Sequence, residues 1–473
     1  MPNSPKTNRR ILAGENPHIH FRNDGRFHVL TPKVETEDSE SLAAYFPESR
    51  YISLLEVLAT VNRASGFLNE FQHHQVRHNR SRPPNRSFMA GVIGYGCFIG
   101  TRKIARISKL INESELENTV NWYFSRDSID AANDCILKLM SQLDLPELYR
   151  NKAGLLHTSS DGQKYEVAVD SLNANYSYKY FGQGKGVTAY NFIDQRHFMW
   201  HDNVFSSAEK EAAYVIDGLM HNEVVKSDIH STDTAGYTEA IFGATHLLGF
   251  TFAPRIKNLK KQYLYSFRNR KEFAQCGYNV LPDRYISTHF IEPYWDDILR
   301  FAASIKLKET TASQLFRRLN SYSKQHPLWL ALKEFGKIVK TEFILKYIDD
   351  VEFRQAIEKQ LNKGESSNKF SKAISFGNNQ EFLYGDKVEQ EIAEGCKRLI
   401  KNAIVCWNYL FLSQKDVAED YEQQKLGLIE AVRNGSVVTW QHINLHGEYD
   451  FSDEKLQDSV GLTVPKKLDS LAG

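Results

Sequence analysis

Two strand-like runs, each ending in an aspartate within a polar turn, constrain the fold of this chain. Residues 157–163 read HTSSDGQ and place Asp161 after one run, and residues 230–236 read HSTDTAG and place Asp233 after another. A carboxylate at the end of a strand points outward, where it can bind a metal ion, because hard divalent cations prefer oxygen ligands. We call residues 157–163 the first frame and residues 230–236 the second frame. The two similar frames predict a mixed α/β core that presents two acids together.

The remaining pattern is helical before the first frame and mostly helical after the second. Helical periodicity begins at Ile52, and Gly66 is a plausible stop. Four runs between the helical regions have strand character, namely Leu155–Thr158, Tyr165–Val169, Val187–Phe192 and His197–Trp200. A helix is expected over 207–220 and another from Tyr237, with Gly249 at its end. The order of strand, strand, strand, helix, strand, helix predicts a ribonuclease-H-like start.

These changes of pattern suggest four parts. Residues 1–48 are polar and are expected to be a leader or linker, and residues 49–150 to be an all-helical domain. The ribonuclease-H-like α/β domain is expected over 151–425, with a helical insertion at about 260–345. Residues 426–473 form a C-terminal tail.

A third acid is needed to complete a metal site, and Glu365 lies on a helix 132 positions after Asp233. Two metal ions about 3.5–4 Å apart can clamp the attacking and leaving oxygens of a phosphoryl transfer. Spacing alone does not select Glu365, because several other acids lie nearby, namely Asp349, Asp350, Glu352 and Glu358. The aspartates also have ordinary interpretations, since Asp161-Gly162 reads as a hairpin turn and Asp233 as a helix cap.

Composition gives weaker constraints. The net charge of +1 does not favour nucleic acid over other partners. Nucleic acid is weakly favoured by local basic segments interleaved with aromatic residues, which lie at 77–86, 255–261 and 268–271. No apolar run reaches the ~18 residues of a membrane span, and the first residues have no signal-peptide core. We therefore expect a cytoplasmic protein with no membrane partner.

Several blocks resemble the replicative transposases of the Tn3 family. The three acid blocks at 158–163, 231–237 and 361–368 are similar to those of that family, and so are further blocks at 249–255, 315–323, 403–408 and 440–445. The resemblance runs from about residue 45 to 460, with the blocks in the family's order. It is far more specific than an isolated pattern of two aspartates and a glutamate.

The resemblance implies that Asp161, Asp233 and Glu365 are a metal-binding catalytic triad, and it selects Glu365 over its acidic neighbours. It implies metal-dependent DNA cleavage at transposon ends and strand transfer into target DNA, with Mg²⁺ or Mn²⁺ as cofactor. The DNA-backbone contacts are expected at Arg255, Arg317 and Arg318, from charge. The implied partners are transposon-end and target DNA and a second copy on DNA, in a bacterial cytoplasm near the nucleoid.

Family members are roughly twice as long, with an N-terminal region that recognises the terminal inverted repeats. The short polar leader lacks such a region, so we do not expect autonomous transposition from this chain alone. Two alternatives stay open. One is a transposase remnant that binds DNA or a full-length partner without activity, and the other is a stand-alone metal-dependent DNA nuclease.

Overall fold

The computed structural model describes residues 3–22, 27–33, 42–47, 51–75, 81–150, 154–220, 224–233, 237–322, 325–418, 422–447, 449–457 and 461–462. Its helices are α1 Asn3–Leu12, α2 Leu54–Ser65, α3 Asn85–Gly96, α4 Thr101–Ile107, α5 Glu113–Tyr123, α6 Arg126–Met140, α7 Tyr178–Phe181, α8 Ala212–Met220, α9 Glu239–Leu247, α10 Arg270–Gln275, α11 Thr288–Ile291, α12 Trp295–Lys306, α13 Ala312–Asn320, α14 Pro327–Asp349, α15 Val351–Ile374, α16 Lys387–Ala418 and α17 Glu422–Asn434.

The strands include six that build the main sheet, and the others form short pairs of two or three residues each. They are β1 Ile19–Phe21, β2 Phe27–Val29, β3 Ile52–Ser53, β4 Ser108–Lys109, β5 His157–Glu166, β6 Asn175–Tyr176, β7 Lys185–Asp194, β8 Met199–Ser206, β9 Ile229–Thr232, β10 Thr251–Phe252, β11 Tyr265–Ser266, β12 Arg284–Tyr285, β13 Ile443–Asn444 and β14 Tyr449–Asp450. The predicted mixed α/β class is confirmed.

The main sheet has the order β8-β7-β5-β9-β10, with β6 also pairing with one end of β7. Strand β7 is antiparallel to its neighbours β8 and β5, and β9 and β10 run parallel to β5. Because β9 lies beside β5 in the same direction, the polar frames that end these two segments meet at one place in the sheet. The topology thus brings the two sequence frames together.

The strand over the first frame differs from the prediction. Two runs were expected, Leu155–Thr158 and Tyr165–Val169, with Asp161-Gly162 as a turn between them. The structure has one strand, β5, in which Asp161 pairs with Asn191 and Gly162 with Tyr190 of β7. The turn propensity of Asp-Gly is overridden because the neighbouring strand continues past it and supplies the hydrogen bonds of the ladder. Asp161 therefore lies within a strand, whereas Asp233 lies just beyond the end of β9, as expected.

Local sequence explains the helix ends that were predicted. In α2 the Ser53 hydroxyl accepts a hydrogen bond from the Glu56 amide, which caps the first turn. Gly66 follows the last turn with φ 69°, a left-handed conformation that favours glycine. The expected start near Ile52 and stop at Gly66 are confirmed.

Helix α16 lies at the centre of the molecule and packs on α2, α3, α6 and β8. It buries the charged side chains of Glu394, Lys397 and Arg398 together with aliphatic ones. Arg126 of α6 and Arg398 of α16 both pair with Asp202 of β8, with 2.6 Å between Arg126 Nη1 and Asp202 Oδ2 and 3.0 Å between Arg398 Nε and Asp202 Oδ1. Removing one partner of such a buried pair leaves an uncompensated charge, so these contacts fix how the helices meet the sheet.

The described part of residues 1–48 contains α1 and the β1–β2 hairpin, where the polar composition suggested a linker. Asn8 of α1 donates to the Val280 carbonyl at 3.0 Å, which ties α1 to the segment between β10 and α15. Five helices and the β11–β12 pair lie in that segment, where a helical insertion was expected. Among the described residues, none of the helices combines the length and apolar character that crossing a bilayer requires.

Candidate active site

The Asp161 carboxylate is held from two directions. Its Oδ1 accepts a hydrogen bond from the Gly162 amide at 2.9 Å, and its Oδ2 accepts one from the Asn368 side chain of α15 at 2.8 Å. The second contact links the sheet to the helix that carries Glu365. Both oxygens are thereby oriented by groups that leave lone pairs for a further ligand.

Asp233 is the neighbour of Asp161 across the parallel pair of strands. The β5–β9 ladder ends with Ser160 opposite Thr232, so Asp161 and Asp233 are the next residue on each strand. Adjacent strands lie about 4.8 Å apart, and equivalent positions of parallel strands point to the same face. The structure therefore brings together the two aspartates that the matching frames predicted.

The third candidate reaches the same place from above the sheet. Helix α15 lies across β5, and a Cβ built on Gly364 would be 3.7 Å from the Ser159 hydroxyl and 4.0 Å from the Asp161 Cβ. Glycine at this position permits the close approach of helix and strand. Glu365, the next residue, is exposed and close enough to Asp161 to affect its charge.

Two further side chains of α15 fix its position on the sheet. Gln360 donates from Nε2 to the Ser159 hydroxyl at 3.1 Å and to the Ile193 carbonyl at 3.2 Å. Lys363 donates to the Gln195 carbonyl at 2.6 Å. These buried contacts set the register of the helix relative to the sheet, and with it the place of Glu365.

Buried hydroxyl and imidazole groups of the two frames pair with each other on both faces of the sheet. Thr158 and Ser160 contact His230 through its Nδ1 and Nε2, each at 2.8 Å, and His157 contacts Ser231 at 2.8 Å. Burial lowers the pKa of His230 to about 3, so the ring is neutral. These polar residues of the frames are thus paired with each other, which offsets the cost of burying them in the sheet interior.

Negative charge accumulates around Asp161. Burial and then Glu211 raise the pKa of Asp161 to about 6, and Asp233 and Glu365 act in the same direction against the Gly162 amide. Glu211 lies just before α8, and its Oε1 is 2.5 Å from a Cβ built on Gly162. It also accepts from Lys164 at 3.2 Å. Four carboxylates therefore share this region.

Asp233 is paired with two cations in this conformation. Arg255 Nη2 lies 3.1 Å from Asp233 Oδ1, and Lys257 Nζ lies 3.1 Å from Asp233 Oδ2. The other end of the Arg255 guanidinium contacts Glu358 at 3.3 Å. Arg255, expected at the DNA backbone, thus lies beside a candidate catalytic acid.

The other two arginines lie apart from the acids. Arg317 contacts Glu209 Oε2 at 2.6 Å and the Tyr214 hydroxyl at 3.2 Å, and both Arg317 and Arg318 are exposed on α13. Glu209 and Tyr214 lie on either side of Glu211. The arginines are therefore connected to the site through the segment that carries its fourth acid.

The residues that sequence reasoning missed are Asn368, Glu211 and Lys257. Asn368 closes the acid block at 361–368 and lies three positions after Glu365, a spacing that puts both on one helix face. Lys257 lies in the basic segment 255–261, but nothing in the local sequence indicates its pairing with Asp233, and nothing marks Glu211, since each reaches its partner through the tertiary structure.

Among the residues that the structure describes, no three His, Cys, Asp or Glu side chains stand close enough to hold one metal ion. The acids are neighbours, but their carboxylates are not gathered on one point. Arg255 and Lys257 contact the Asp233 oxygens. The Asp233 side chain would therefore have to rotate to bind the same metal ion as Asp161.

Comparison with known proteins identifies the family of the chain. Residues 56–449 match the model of the Tn3 transposase DDE domain. The chain is 34% identical over 439 residues to the transposase for transposon Tn1546 of Enterococcus faecium, covering 92% of this chain and 43% of that protein. It is 29% identical over 451 residues to the transposase for transposon Tn2501 of Escherichia coli, covering 94% and 44%.

A third relative is the transposase for transposon gamma-delta of Escherichia coli strain K12, 27% identical over 451 residues, with 93% of this chain and 44% of that protein covered. The chain spans less than half the length of these relatives. The matched region contains both aspartate frames, the helix with Glu365 and the tail block at 440–445. The resemblance seen in the acid blocks is confirmed, and the chain belongs to the Tn3 transposase DDE family.

Proposed function

We propose that this chain is the catalytic part of a DNA transposase that cleaves transposon ends and transfers the freed strands into target DNA. One observation carries the proposal, namely that Asp161 and Asp233 follow paired positions of the parallel strands β5 and β9, and that Gly364, the residue before Glu365, lies against Asp161. The names of the relatives support the reaction, because each is a transposase of a named transposon. The three acids are the proposed catalytic triad.

We assign the sheet and the helices beside it to a ribonuclease-H-like domain. The support is the order β8-β7-β5-β9-β10, three antiparallel strands followed by two strands parallel to β5. The division into a leader at 1–48, a helical domain at 49–150, the catalytic domain at 151–425 with its insertion and a tail at 426–473 is part of the same proposal.

The proposed cofactor is a divalent cation, Mg²⁺ or Mn²⁺, held by Asp161, Asp233 and Glu365. The donor set fits, because these side chains offer only oxygen ligands and carry negative charge close together. Burial raises the pKa of Asp161, and the charges of Glu211, Asp233 and Glu365 add to that effect. Bound metal would activate a nucleophile and neutralise charge that develops on the phosphate. Asn368 orients the Asp161 carboxylate for this role.

The DNA substrate also has a place in the charge arrangement. Arg255 and Lys257 compensate Asp233 in this conformation, and a DNA phosphate offers them an alternative partner. Binding of DNA would then free the Asp233 oxygens as it positions the scissile strand. Arg317 and Arg318 are proposed to contact the backbone further away, and the reaction at two ends suggests a dimer on DNA.

The test supplies pre-cleaved transposon-end DNA, target plasmid and Mg²⁺ to the protein and to Asp233→Ala. We expect metal-dependent joining by the unaltered protein and a loss of at least about a hundredfold in the variant, because one ligand of the reaction centre is gone. The measurement is the yield of joined product on a gel, with a thermal melt to show that the variant is folded.

Other results would identify the alternatives. DNA binding without cleavage or joining, where a full-length relative joins the same DNA, would indicate a remnant that lacks activity. Metal-dependent cutting without joining would indicate a nuclease. Joining that persists unchanged in Asp233→Ala would contradict the assigned triad.

A further inference from the structure

A cavity of about 640 Å³ opens where α15, the C-terminal tail and the first residues of the helical region meet. Its aromatic lining consists of Tyr51, Phe376, Trp440 and His446, and its polar lining includes Lys372, Gln380, Gln441 and Asn444. Among these residues there is one lysine, no arginine and no carboxylate. Aromatic faces, amides and one cation together match a nucleobase and its phosphate.

The cavity is linked to the catalytic region by one face of α15. Lys369 and Lys372 lie four and seven positions after Glu365, so all three share a helix face. All three side chains are exposed. At 1.5 Å per residue, Lys372 lies about 10 Å along the helix from Glu365. About three nucleotides of one B-form DNA strand span that distance.

Contacts beneath the cavity hold its aromatic side chains in place. The Trp440 ring stacks on Phe370, which is fully buried, with 4.8 Å between centroids and 16° between planes. The His446 ring meets Phe376 edge-on at 4.2 Å. Rings that are fixed before a ligand arrives lose little conformational entropy on binding. Tyr51, by contrast, is largely exposed at the rim.

We propose that this cavity binds an unpaired nucleotide of the DNA strand that leads to the reaction centre. The base would stack on Trp440 or Tyr51, and Lys369 and Lys372 would contact the phosphates between the cavity and Glu365. The proposal rests on the proposed function, since it takes DNA as the substrate. It adds a subsite whose residues lie outside the three acids and the arginines assigned above.

The shape and chemistry of the cavity favour an unpaired strand over a duplex. A base within a duplex presents only its edges, whereas a base outside the stack offers its faces to aromatic side chains. Gln441 and Asn444, both exposed at the cavity, offer amide groups to the edge of such a base. The lysines provide the contact with phosphate that does not depend on sequence.

The first test measures binding by fluorescence anisotropy without divalent metal, using a fluorescein-labelled 20-mer of thymidine and a labelled 20-base-pair blunt duplex. Tyr51→Ala and Trp440→Leu are expected to weaken binding of the single strand at least about fivefold each. Lys372→Gln should weaken it less. Matched controls are Tyr178→Ala, since that tyrosine is 78% exposed against 71% for Tyr51, and Lys103→Gln.

The control variants should bind the single strand as the unaltered protein does, and all variants should bind the duplex within about twofold of it. Unchanged single-strand binding in both Tyr51→Ala and Trp440→Leu would overturn the proposal. So would an equal loss on the duplex, because that would indicate a general electrostatic or folding effect. If Trp440→Leu fails to fold, Tyr51→Ala alone still measures the contribution of the cavity to single-strand binding.

The second test locates the base directly. The thymidine 20-mer carries a single 5-iodouracil, and the residue that crosslinks to it under ultraviolet light is identified by mass spectrometry. We expect Tyr51 or Trp440, and a crosslink confined to residues outside the cavity would refute the assignment. If the protein joins DNA in a metal-dependent way but the variants bind the single strand as the unaltered protein does, only the proposed subsite is contradicted. If the protein binds neither the single strand nor the duplex, both proposals are contradicted.

Discussion

The candidate catalytic residue Asp233 is ion-paired with neighbouring cations in this conformation. Its two oxygens face Arg255 and Lys257, while Asp161 is oriented by an amide and by Asn368. A metal ion therefore has to compete with two cations at Asp233, whereas the Asp161 carboxylate is paired with no cation in these contacts. This difference follows from sequence position, since Asp161 lies within a strand and Asp233 just beyond one.

Lys257→Ala should strengthen metal binding. Removing one of the two cations lowers the cost of placing Mn²⁺ at Asp233, and an exposed ion pair of this kind is worth about 0.2–1 kcal/mol, or up to about fivefold in affinity. Isothermal titration of the DNA-free protein with Mn²⁺ measures the effect. Lys261→Ala, a nearby exposed lysine, is the control and should bind Mn²⁺ as the unaltered protein does. Weaker Mn²⁺ binding in Lys257→Ala would contradict the competition.

Among the secondary-structure elements, α15 decides whether the third acid reaches the other two. Its sequence predicts a helix and places Glu365 on it, but only its packing on β5 brings Glu365 beside Asp161. Gln360 and Lys363 fix the helix along its length, and Gly364 lets it approach the strand. The arrangement of the three candidate acids therefore depends on how α15 packs on the sheet.

Gly364→Ala and Gly364→Leu test this packing as a pair. The alanine methyl would meet its nearest neighbours at 3.7 and 4.0 Å, which is ordinary contact, so joining activity should fall little. The larger leucine must push α15 from β5, with an expected cost of about 1–3 kcal/mol in unfolding free energy. Its joining activity should fall at least tenfold. Equal activity of the two variants, measured with folded protein, would show that the close approach is unimportant.

The first frame marks the limit of element prediction. The polar run at 157–163 correctly indicated a strand, yet the Asp-Gly pair suggested a turn that does not exist. The ladder to β7 continues through Asp161 and Gly162 because Asn191 and Tyr190 face them. No local signal reveals that partner. By contrast, Gly66 was predicted correctly, because a helix end depends on nearby residues.

The molecule as a whole contains buried histidines that stay neutral when folded. Burial, with nearby cations at two of them, lowers the pKa of His157, His201 and His230 to about 3 each. In the unfolded chain their pKa is near 6.5, so between pH 6.5 and 3 the unfolded state binds more protons. Stability from this source is present above pH 6.5 and is lost as the pH falls.

The expected loss between pH 7 and 5 is on the order of 2 kcal/mol for each histidine. Urea unfolding at the two pH values measures it. The variant His201→Gln cannot titrate at that position, so its stability should fall by about 2 kcal/mol less over the same range. The same fall in both proteins would mean that His201 is protonated in the folded state.

The sequence by itself determined the α/β class, the helix ends that depend on local capping, and the family, which the acid blocks carry. These features depend on residues close together along the chain, or on blocks that keep their own pattern. The tertiary structure decided the unbroken strand under Asp161, the pairing of Asp233 with Arg255 and Lys257, and the cavity beside Trp440. Each of these depends on residues far apart in sequence, whose contacts only the packing of the whole chain creates.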